Sequence, residues 1–252
     1  MHRFFIAPEL LKEMGVYLSL PKDLAHQVRD VLRLNLGEKL TLLDNQGNEI
    51  LATVESSSRA GVIVQLLERH PGKSASPIHI ILCQSLIKSA RFEWILEKGT
   101  EMGVSAFAPI HSQRSTAGLE EAGAAKIQRW RRILQEATEQ CGRATLPELL
   151  PIRSLEQALQ EIPVGSLAIM AWEEADGKSL RDVLAGVRMR VAGVVIPQSI
   201  LLFIGPEGGL TSEEVALARK HGAQIVTLGP RIMRAETAAL ASVANVMFAL
   251  EP

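Results

Sequence analysis

Two segments near the C-terminus combine glycine, proline and charged residues in patterns that suit ligand binding. The first is Ile204-Gly-Pro-Glu-Gly-Gly209, which lies between an apolar stretch and an expected helix. Its glycines would let backbone amides approach a ligand closely, and Pro206 would stiffen the loop. A tight turn from strand to helix, with no ligand, fits the same spacing, so this segment alone leaves both interpretations open.

The second segment, Leu228-Gly-Pro-Arg-Ile-Met-Arg-Ala-Glu-Thr-Ala238, repeats this arrangement. A strand is expected to end at Gly-Pro, and a loop then carries Arg234 and Glu236 into a helix whose first amide groups lack helical partners. Such a loop can wrap an adenosine or a carboxylate through main-chain contacts. The alternative is that Arg234 and Glu236 are solvated charges beside a helix start.

Several familiar site patterns are missing from the sequence. The Gly-x-Gly-x-x-Gly spacing of dinucleotide-binding loops does not occur, and no Gly-Lys-Ser/Thr follows the C-terminal glycines as it would in a P-loop. A Gly-x-Ser-x-Gly hydrolase elbow is absent, and the histidines show no metal-ligand spacing. We therefore expect no catalytic metal, and a nucleotide-dependent oxidoreductase or a hydrolase is disfavoured.

The elements around the two segments predict where they lie in the fold. Both segments follow apolar runs that read as buried strands, at Ile200–Ile204 and Gln224–Leu228, and both lead into helices, at Ser212–His221 and Ala235–Leu250. Open α/β sheets bind ligands beyond the carboxyl ends of their strands, which is the position expected for these loops.

The same alternation of strands and helices begins at Ile78. The further elements predicted are strands Ile78–Cys83, Phe107–Ile110 and Leu167–Trp172, and helices Arg91–Met102 and Lys126–Cys141. Strands that read as unbroken apolar runs and alternate with helices predict a parallel sheet covered on both faces, which is the α/β class.

A small β-rich module precedes this pattern. Its predicted elements are a helix at Lys22–Leu34 and strands at Lys39–Leu43, Glu49–Val54 and Gly61–Leu67. The turn Asp44-Asn-Gln-Gly-Asn48 contains residues that tolerate positive φ. The segment Arg69–Pro77 contains Pro, Gly and Ser and has no periodicity, so we place a domain boundary there, with domains at 1–72 and 73–252.

Composition limits the class of protein. The 252 residues are 47% hydrophobic and 22% charged, which is ordinary for a globular protein, and the two cysteines, Cys83 and Cys141, suggest reduced thiols. No signal peptide or membrane span is expected, since the most apolar stretch, Val191–Ile204, is interrupted by Pro197, and we expect a cytoplasmic protein. The net charge of −1 argues mildly against a nucleic-acid partner, although a local basic patch can bind phosphates within a balanced chain.

Five motifs in order along the chain resemble the ribosomal RNA small subunit methyltransferase E family, which comprises 16S rRNA uridine N3-methyltransferases of the SPOUT superfamily. Two of the motifs are the C-terminal glycine segments. The other three are His26-Gln-Val-Arg-Asp-Val-Leu-Arg33, the charged and apolar stretch Lys88–Val104 and the stretch Glu136–Arg143. Without the resemblance, Lys88–Val104 would be interpreted as a helix with a solvated charged face. Met233 and Leu210 depart from the family pattern, where Leu and an aromatic residue are more usual, but both changes are apolar.

The resemblance implies a fold and partners that composition and spacing do not show. Residues 1–72 would form a small PUA-like RNA-binding β-barrel, and residues 73–252 a SPOUT domain with a deep trefoil knot, an exception to the rule that chains avoid threading. The active unit would be a homodimer, the methyl donor S-adenosyl-L-methionine, and the substrate 16S rRNA, within the assembled small ribosomal subunit. No metal and no membrane partner is implied.

The resemblance also implies roles for particular residues. The cofactor contacts would come from both glycine segments and two preceding strands: Met170, Ala171, Leu202, Ile204, Gly205, Gly209, Leu228, Gly229, Ile232, Met233, Thr237 and Ala238. Arg234 would hold the uracil carbonyls or the developing anion, and Glu236 would orient Arg234 or accept a proton, while the general base stays unassigned. The basic residues expected to contact RNA are Arg29, Arg33, Arg91, Arg114 and Arg143.

Two rival functions stay open at this point. The first is a methyltransferase of the same superfamily that acts on another RNA or another atom, which mass spectrometry of the modified nucleotide would distinguish. The second is a non-catalytic ribosome-assembly protein that keeps the fold and binds RNA. Cofactor binding would distinguish this second rival, and the intact glycine segments argue against it.

Overall fold

The computed structural model describes residues 1–12, 16–72, 76–116, 123–191, 197 and 199–251. The chain divides into two compact units, one formed by Met1–Ala75 with Gln135–Leu146, the other by Ser76–Leu134 with Pro147–Pro252. Residues 73–75 of the expected boundary segment Arg69–Pro77 lie outside the described residues.

The first unit is built on a five-stranded sheet. Its strands are β1 (His2–Phe5), β2 (Tyr17–Ser19), β3 (Lys39–Leu43), β4 (Asn48–Ser58) and β5 (Gly61–Pro71), and its short helices are α1 (Glu9–Lys12) and α2 (Lys22–His26), which continues in a wider π-helical turn over Gln27–Val31. The strand order is β1-β3-β4-β5-β2, with β1 parallel to β3 and the other pairs antiparallel. The three strands predicted here are therefore confirmed, while β1 and β2 were not predicted.

The turn between β3 and β4 is organised by a buried carboxylate. Asp44 is almost completely buried and accepts hydrogen bonds from the backbone N–H groups of Gln46 and Asn48. It also accepts from the Asn48 side chain and from Arg69 on β5, whose Nη2 lies 2.8 Å from Oδ2 of Asp44. The predicted positive backbone angles occur at Asn45 (φ 56°) and Gly47 (φ 88°).

The second unit is an α/β structure with parallel strand pairing in its described part. Its elements are β6 (Ile80–Ser85), α3 (Ser89–Glu101), β7 (Ala106–His111), α4 (Ala124–Cys141, whose last residues belong to the first unit), β8 (Glu148–Leu149), β9 (Arg153–Ser154), α5 (Leu155–Gln160), β10 (Leu167–Ala171), α6 (Leu180–Val191), β11 (Ile200–Ile204), α7 (Ser212–Lys220), β12 (Gln224–Val226) and α8 (Ala235–Leu250). The strand order is β12-β10-β11-β6-β7-β8, and β9 also pairs with β7. The predicted parallel sheet is confirmed, with the difference that β12 ends at Val226 rather than at Leu228.

The central strands of this sheet are buried on both faces, as their unbroken apolar sequences predict. Every residue of β11 is buried, and apolar clusters lie on the two sides of the sheet. One cluster contains Phe92 of α3 and Val243 of α8, and the other contains Val215 of α7 and Phe203. The sheet is therefore a rigid support for the loops at its strand ends. The trefoil knot stays a prediction.

No helix among the described residues combines the length and the apolar character that a membrane span requires.

Candidate functional site

A cavity of about 740 Å³ lies where the loops after three neighbouring strands meet. Its wall comes from residues that follow or end β10, from the glycine loop after β11 and from the segment after β12 that leads into α8. These strands are adjacent and parallel in the sheet, so their carboxyl ends share one edge. The cavity is thus at the sheet edge that the sequence predicted for ligand binding.

Most of the residues predicted to bind a cofactor line this cavity. They are Ala171, Ile204, Gly205, Gly209, Leu228, Gly229, Ile232, Met233 and Ala238. Met170 and Leu202 are buried within their strands, where their side chains join the apolar clusters, and they do not line the cavity. Thr237, in the first turn of α8, does not line it either.

The glycine loop has a backbone conformation at Gly209 that favours glycine over larger residues. This residue has a φ of +73°, and a Cβ added there would overlap with Oε1 of Glu173. The loop is closed by a hydrogen bond of 3.0 Å from the N–H of Gly209 to the carbonyl of Pro206. Glycine at position 209 therefore keeps the loop backbone open to the cavity and to Glu173.

The end of this loop is fixed by the start of α7. The side chain of Thr211 accepts a hydrogen bond from the N–H of Glu214, and the Glu214 carboxylate accepts one from the N–H of Thr211. This reciprocal capping satisfies two amides that would otherwise lack partners at the helix start. The loop is consequently held at both ends, by buried β11 and by a capped helix.

Arg91, in the first turn of α3, links the two C-terminal glycine segments. Its Nη1 lies 2.9 Å from Oε1 of Glu207 in the glycine loop, and its Nε lies 3.6 Å from Oε1 of Glu236 in the first turn of α8. The Glu236 side chain is only 14% exposed, and its Oε2 is buried with no hydrogen-bond partner among the described residues. Arg91 and Glu207 line the cavity, whereas Glu236 does not.

Three further charged side chains line the cavity. Glu173, Arg231 and Arg234 are exposed, and none forms a hydrogen bond or an ion pair with another side chain in the part of the chain that the structure describes. Arg234 occupies the residue position just before α8, with an extended backbone, so it belongs to the rim of the cavity. Its place in the cavity wall agrees with a role in contacting a bound substrate.

Sequence reasoning missed Glu173. The residue follows the buried strand β10 at the same sheet edge as the two glycine segments. A polar residue directly after a predicted buried strand was the signal that could have identified it, because parallel strands bring their carboxyl ends together.

The residues predicted to contact RNA fall into two groups. Arg91 and Arg114 are beside the glycine loop, and Nη1 of Arg114 lies 2.9 Å from the carbonyl oxygen of Gly208. Arg29, Arg33 and Arg143 belong to the first unit and do not line the cavity.

The local contacts of the second group differ. Arg29 donates to Asp30 and to the carbonyl of Ser58, and the hydrogen bond from Arg29 holds the pKa of the Asp30 carboxyl well below its ordinary value. Arg33 adopts a φ of 53°. Arg143 is half-buried, and this burial lowers the pKa of its guanidinium.

A second cavity, of about 660 Å³, lies between residues of α6 and α8. It shares Thr227, Leu228, Gly229 and Met233 with the first cavity. Phe248, near the end of α8, lines this second cavity and is 89% exposed. The segment after β12 therefore separates the first cavity from an apolar surface.

The described residues contain no group of three or more His, Cys, Asp and Glu side chains that could hold a metal ion.

Comparison with known proteins relates both parts of the chain to RNA methyltransferases. The family model of an RNA methyltransferase domain matches residues 74–247, and the model of an RNA methyltransferase PUA domain matches residues 21–67. These matches confirm the family resemblance and the combination of a PUA module with an α/β domain.

Individual relatives are similar over nearly the full chain. Ribosomal RNA small subunit methyltransferase E of Bacillus subtilis is 31% identical over 255 residues, covering 100% of this chain and 98% of the relative. The crystal structure of the Neisseria gonorrhoeae ribosomal RNA small subunit methyltransferase E, bound to S-adenosylmethionine, superposes with a TM-score of 0.83 at 31% identity and covers 98% of this chain and 97% of that one. A Legionella pneumophila structure described as a methyltransferase in complex with the same cofactor gives a TM-score of 0.86 at 32% identity, with coverages of 99% and 98%.

Proposed function

The chain belongs to the ribosomal RNA small subunit methyltransferase E family, and from this premise we propose that it transfers the methyl group of S-adenosylmethionine to N3 of a uridine in 16S rRNA. The observation that carries the proposal is the cavity at the carboxyl ends of β10 and β11, which the glycine loop and the segment before α8 enclose. We further propose that the substrate is the assembled small subunit.

The residues around the cavity fit the proposed methyl donor. A volume of about 740 Å³ falls within the range of sites that bind cofactor-sized molecules. Gly209 has no Cβ and a φ of +73°, so main-chain groups of the loop can approach the donor beside the Glu173 carboxylate. The predicted cofactor residues on the cavity wall would hold the adenosine and methionine parts, including Gly205, Leu228 and Gly229.

Uridine N3 needs help from the protein because it carries a proton and is a poor nucleophile at neutral pH. When bound, S-adenosylmethionine supplies an electrophilic methyl group on a sulfonium. The side chain of Arg234 is exposed at the rim and free of described partners, so its guanidinium can donate to the uracil carbonyls and stabilise the imide anion as the proton leaves. The uridine must also be unpaired, since N3 lies in its pairing edge.

Glu236 serves a different purpose in this proposal. Its carboxylate does not line the cavity and lies 3.6 Å from the Nε of Arg91, so its contact with the substrate would be indirect. We assign Glu236 to holding the segment that carries Arg234, through Arg91, rather than to removing the N3 proton. The group that accepts this proton stays unassigned among the residues of this chain.

We also propose that the active unit is a homodimer formed through the face that contains Phe248. An aromatic side chain with 89% exposure beside a cavity of about 660 Å³ is an apolar surface that a second copy of the chain would cover. Both cavities are lined by Leu228, Gly229 and Met233. A partner on this face would therefore contact the segment that encloses the first cavity. Dimer formation would then order the cofactor site.

Transfer of a labelled methyl group tests the proposal directly. The purified chain would be incubated with S-adenosylmethionine labelled in its methyl group and with either intact small subunits or naked 16S rRNA from a bacterial strain that lacks the corresponding activity. Mass spectrometry of the nucleosides should find N3-methyluridine, with more label on the intact subunits.

Each rival function predicts a different outcome of this experiment. Methyl label on another atom or on another RNA would favour the rival methyltransferase that acts on a different substrate. Cofactor binding by calorimetry without transfer to any RNA would favour the non-catalytic assembly protein. Absence of cofactor binding would contradict the proposed function itself.

A further inference from the structure

The charged side chains that line the first cavity divide into a paired and an unpaired set. Arg91 and Glu207 form an ion pair of 2.9 Å, so each largely compensates the charge of the other. Glu173, Arg231 and Arg234 have no such partner in the described part of the chain. A bound ligand therefore meets one uncompensated carboxylate and two uncompensated guanidinium groups.

The uncompensated carboxylate lies beside the glycine loop. Oε1 of Glu173 occupies the space next to Gly209 that a Cβ at this position would take. Glu173 therefore faces the backbone of the glycine loop, which we propose to contact the methyl donor. Arg231 and Arg234 belong to the other wall, between β12 and α8.

The methyl donor carries positive charge in its methionine part. Its sulfonium and α-ammonium groups are cationic and its α-carboxylate is anionic, which leaves a net charge of +1, while the adenosine part is neutral at pH 7. A carboxylate that has no cationic side chain paired with it attracts a cationic group of a ligand. This attraction strengthens when the ligand displaces water from the cavity.

Resting on the proposed function, we propose that Glu173 is a specificity-determining residue whose carboxylate recognises the positive charge of the methionine part of the methyl donor. The charge that it meets is the sulfonium or the α-ammonium group, and the ligands of this reaction separate the two. S-adenosylmethionine carries both positive charges and an α-carboxylate, S-adenosylhomocysteine keeps the ammonium and the carboxylate, and 5′-methylthioadenosine has none of the three.

The test measures the affinity of these three ligands for the wild-type chain, Glu173→Gln and Glu174→Gln by isothermal titration calorimetry at low ionic strength. Glutamine keeps the size and the hydrogen-bonding capacity of the side chain and removes its charge. Glu174 is the matched control, because it is the neighbouring exposed carboxylate and does not line the cavity.

We expect Glu173→Gln to weaken S-adenosylmethionine binding roughly fivefold, the size of effect that one partly solvated charge pair produces, and to leave 5′-methylthioadenosine unaffected. An equal loss for S-adenosylhomocysteine would identify the ammonium as the recognised charge, and no loss for it would identify the sulfonium. Glu174→Gln should bind all three ligands as the wild type does.

Two results would overturn the inference. One is unchanged S-adenosylmethionine affinity in Glu173→Gln. The other is an equal loss for 5′-methylthioadenosine, which would place the carboxylate against the neutral nucleoside. Failure of the wild-type chain to bind S-adenosylmethionine at all would instead contradict the proposed function, so the two failures can be told apart.

Discussion

Nη1 of Arg91 lies 2.9 Å from Oε1 of Glu207, which ties the first turn of α3 to the glycine loop after β11. The same guanidinium places its Nε at 3.6 Å from Glu236, in the first turn of α8. One side chain therefore spans two loops that leave the sheet from different strands. Because both segments enclose the cavity, we expect this arginine to help fix their relative position.

Removal of this side chain should loosen both loops. We expect Arg91→Ala to weaken S-adenosylmethionine binding about tenfold or more, because truncating one partner of a part-buried charge pair leaves the carboxylates of Glu207 and Glu236 uncompensated. Arg91→Lys should recover only part of the affinity, since an ammonium lacks the planar fork that reaches two carboxylates. Calorimetric titration with the cofactor measures both variants.

A surface arginine provides the control for this prediction. Arg129 forms two hydrogen bonds of 2.8 Å with Glu93, is 67% exposed and does not line the cavity. Arg129→Ala should therefore leave cofactor affinity unchanged. Equal affinities of Arg91→Ala and Arg129→Ala would show that the link between the two loops has no role in binding.

A second prediction concerns Gly209, because Gly222 has a similar backbone angle and can serve as its control. Gly209 (φ +73°) and Gly222 (φ +83°) both have left-handed conformations, but a Cβ would overlap with Glu173 only at Gly209, while the space around Gly222 is open. Alanine at either position should cost about 1 kcal/mol of stability from backbone strain. Only Gly209→Ala should also weaken cofactor binding, because its Cβ would displace the Glu173 carboxylate from its position beside the loop.

Urea unfolding and calorimetric titration, applied to both glycine variants, separate strain from loss of the site. Unchanged cofactor affinity in Gly209→Ala would move the binding site away from this loop. A similar loss of affinity in Gly222→Ala would mean that strain in the fold, rather than the overlap, is the cause.

The sequence predicted most of the strands but not all of the helices. β11 could be predicted because its apolar residues are continuous, and β3 because turn residues follow its leucines. Helix α6 was missed although Leu180, Leu184 and Val187 recur at helical spacing and are buried in the structure, so this signal was present. The strands β8 and β9 have two residues each, too few for any periodicity.

The candidate site was predictable in position and less so in detail. The glycine segments were placed at strand ends because glycine and proline mark loops after apolar runs. The contact of Arg91 with Glu207 joins residues 116 positions apart in the chain, and no local pattern encodes it. Met170 and Leu202 were expected to bind the cofactor because of the family resemblance, but their side chains are buried in the apolar clusters of the sheet.

Asp44 gives the stability of the first unit a dependence on pH. Burial disfavours its charged form, but hydrogen bonds from Asn48, Gln46 and Arg69 outweigh this and hold the pKa of Asp44 below its ordinary value of 3.8. A carboxylate with a lowered pKa in the folded state stabilises the fold above the unfolded-state pKa, and the contribution is lost as the pH falls through the folded-state pKa. Asp44→Asn should therefore be less stable than the wild type by about 1–3 kcal/mol at pH 7.

The difference between Asp44→Asn and the wild type should shrink as the pH falls below about 4. Urea unfolding at pH 7, 5 and 3 measures this, with Asp23→Asn as a control, because Asp23 is exposed in the first turn of α2. A difference that stays constant over this pH range would mean that charge on Asp44 does not stabilise the turn between β3 and β4.

The exposed aromatic residue on α8 tests the proposed dimer. Phe248→Asp places a charge on the apolar face beside the second cavity and should shift the chain from dimer to monomer, which light scattering combined with size-exclusion chromatography detects. Val164→Asp is the control, because Val164 is 95% exposed but lines neither cavity, and it should leave the mass unchanged. A Phe248→Asp variant with the wild-type mass would place any dimer contact on another surface.

A variant of Arg234 can separate cofactor binding from the rate of methyl transfer. Its guanidinium is exposed at the cavity rim with no described side-chain partner, so its removal leaves no buried charge uncompensated. We expect Arg234→Ala to keep S-adenosylmethionine affinity within about twofold and to lower the rate of methyl transfer by about 10²–10³, the effect of removing one donor that stabilises a developing anion. Arg219→Ala, at the exposed end of α7 away from the cavity wall, should retain both properties. Single-turnover transfer to small subunits measures the rate, and a normal rate in Arg234→Ala would assign stabilisation of the uracil anion to another group.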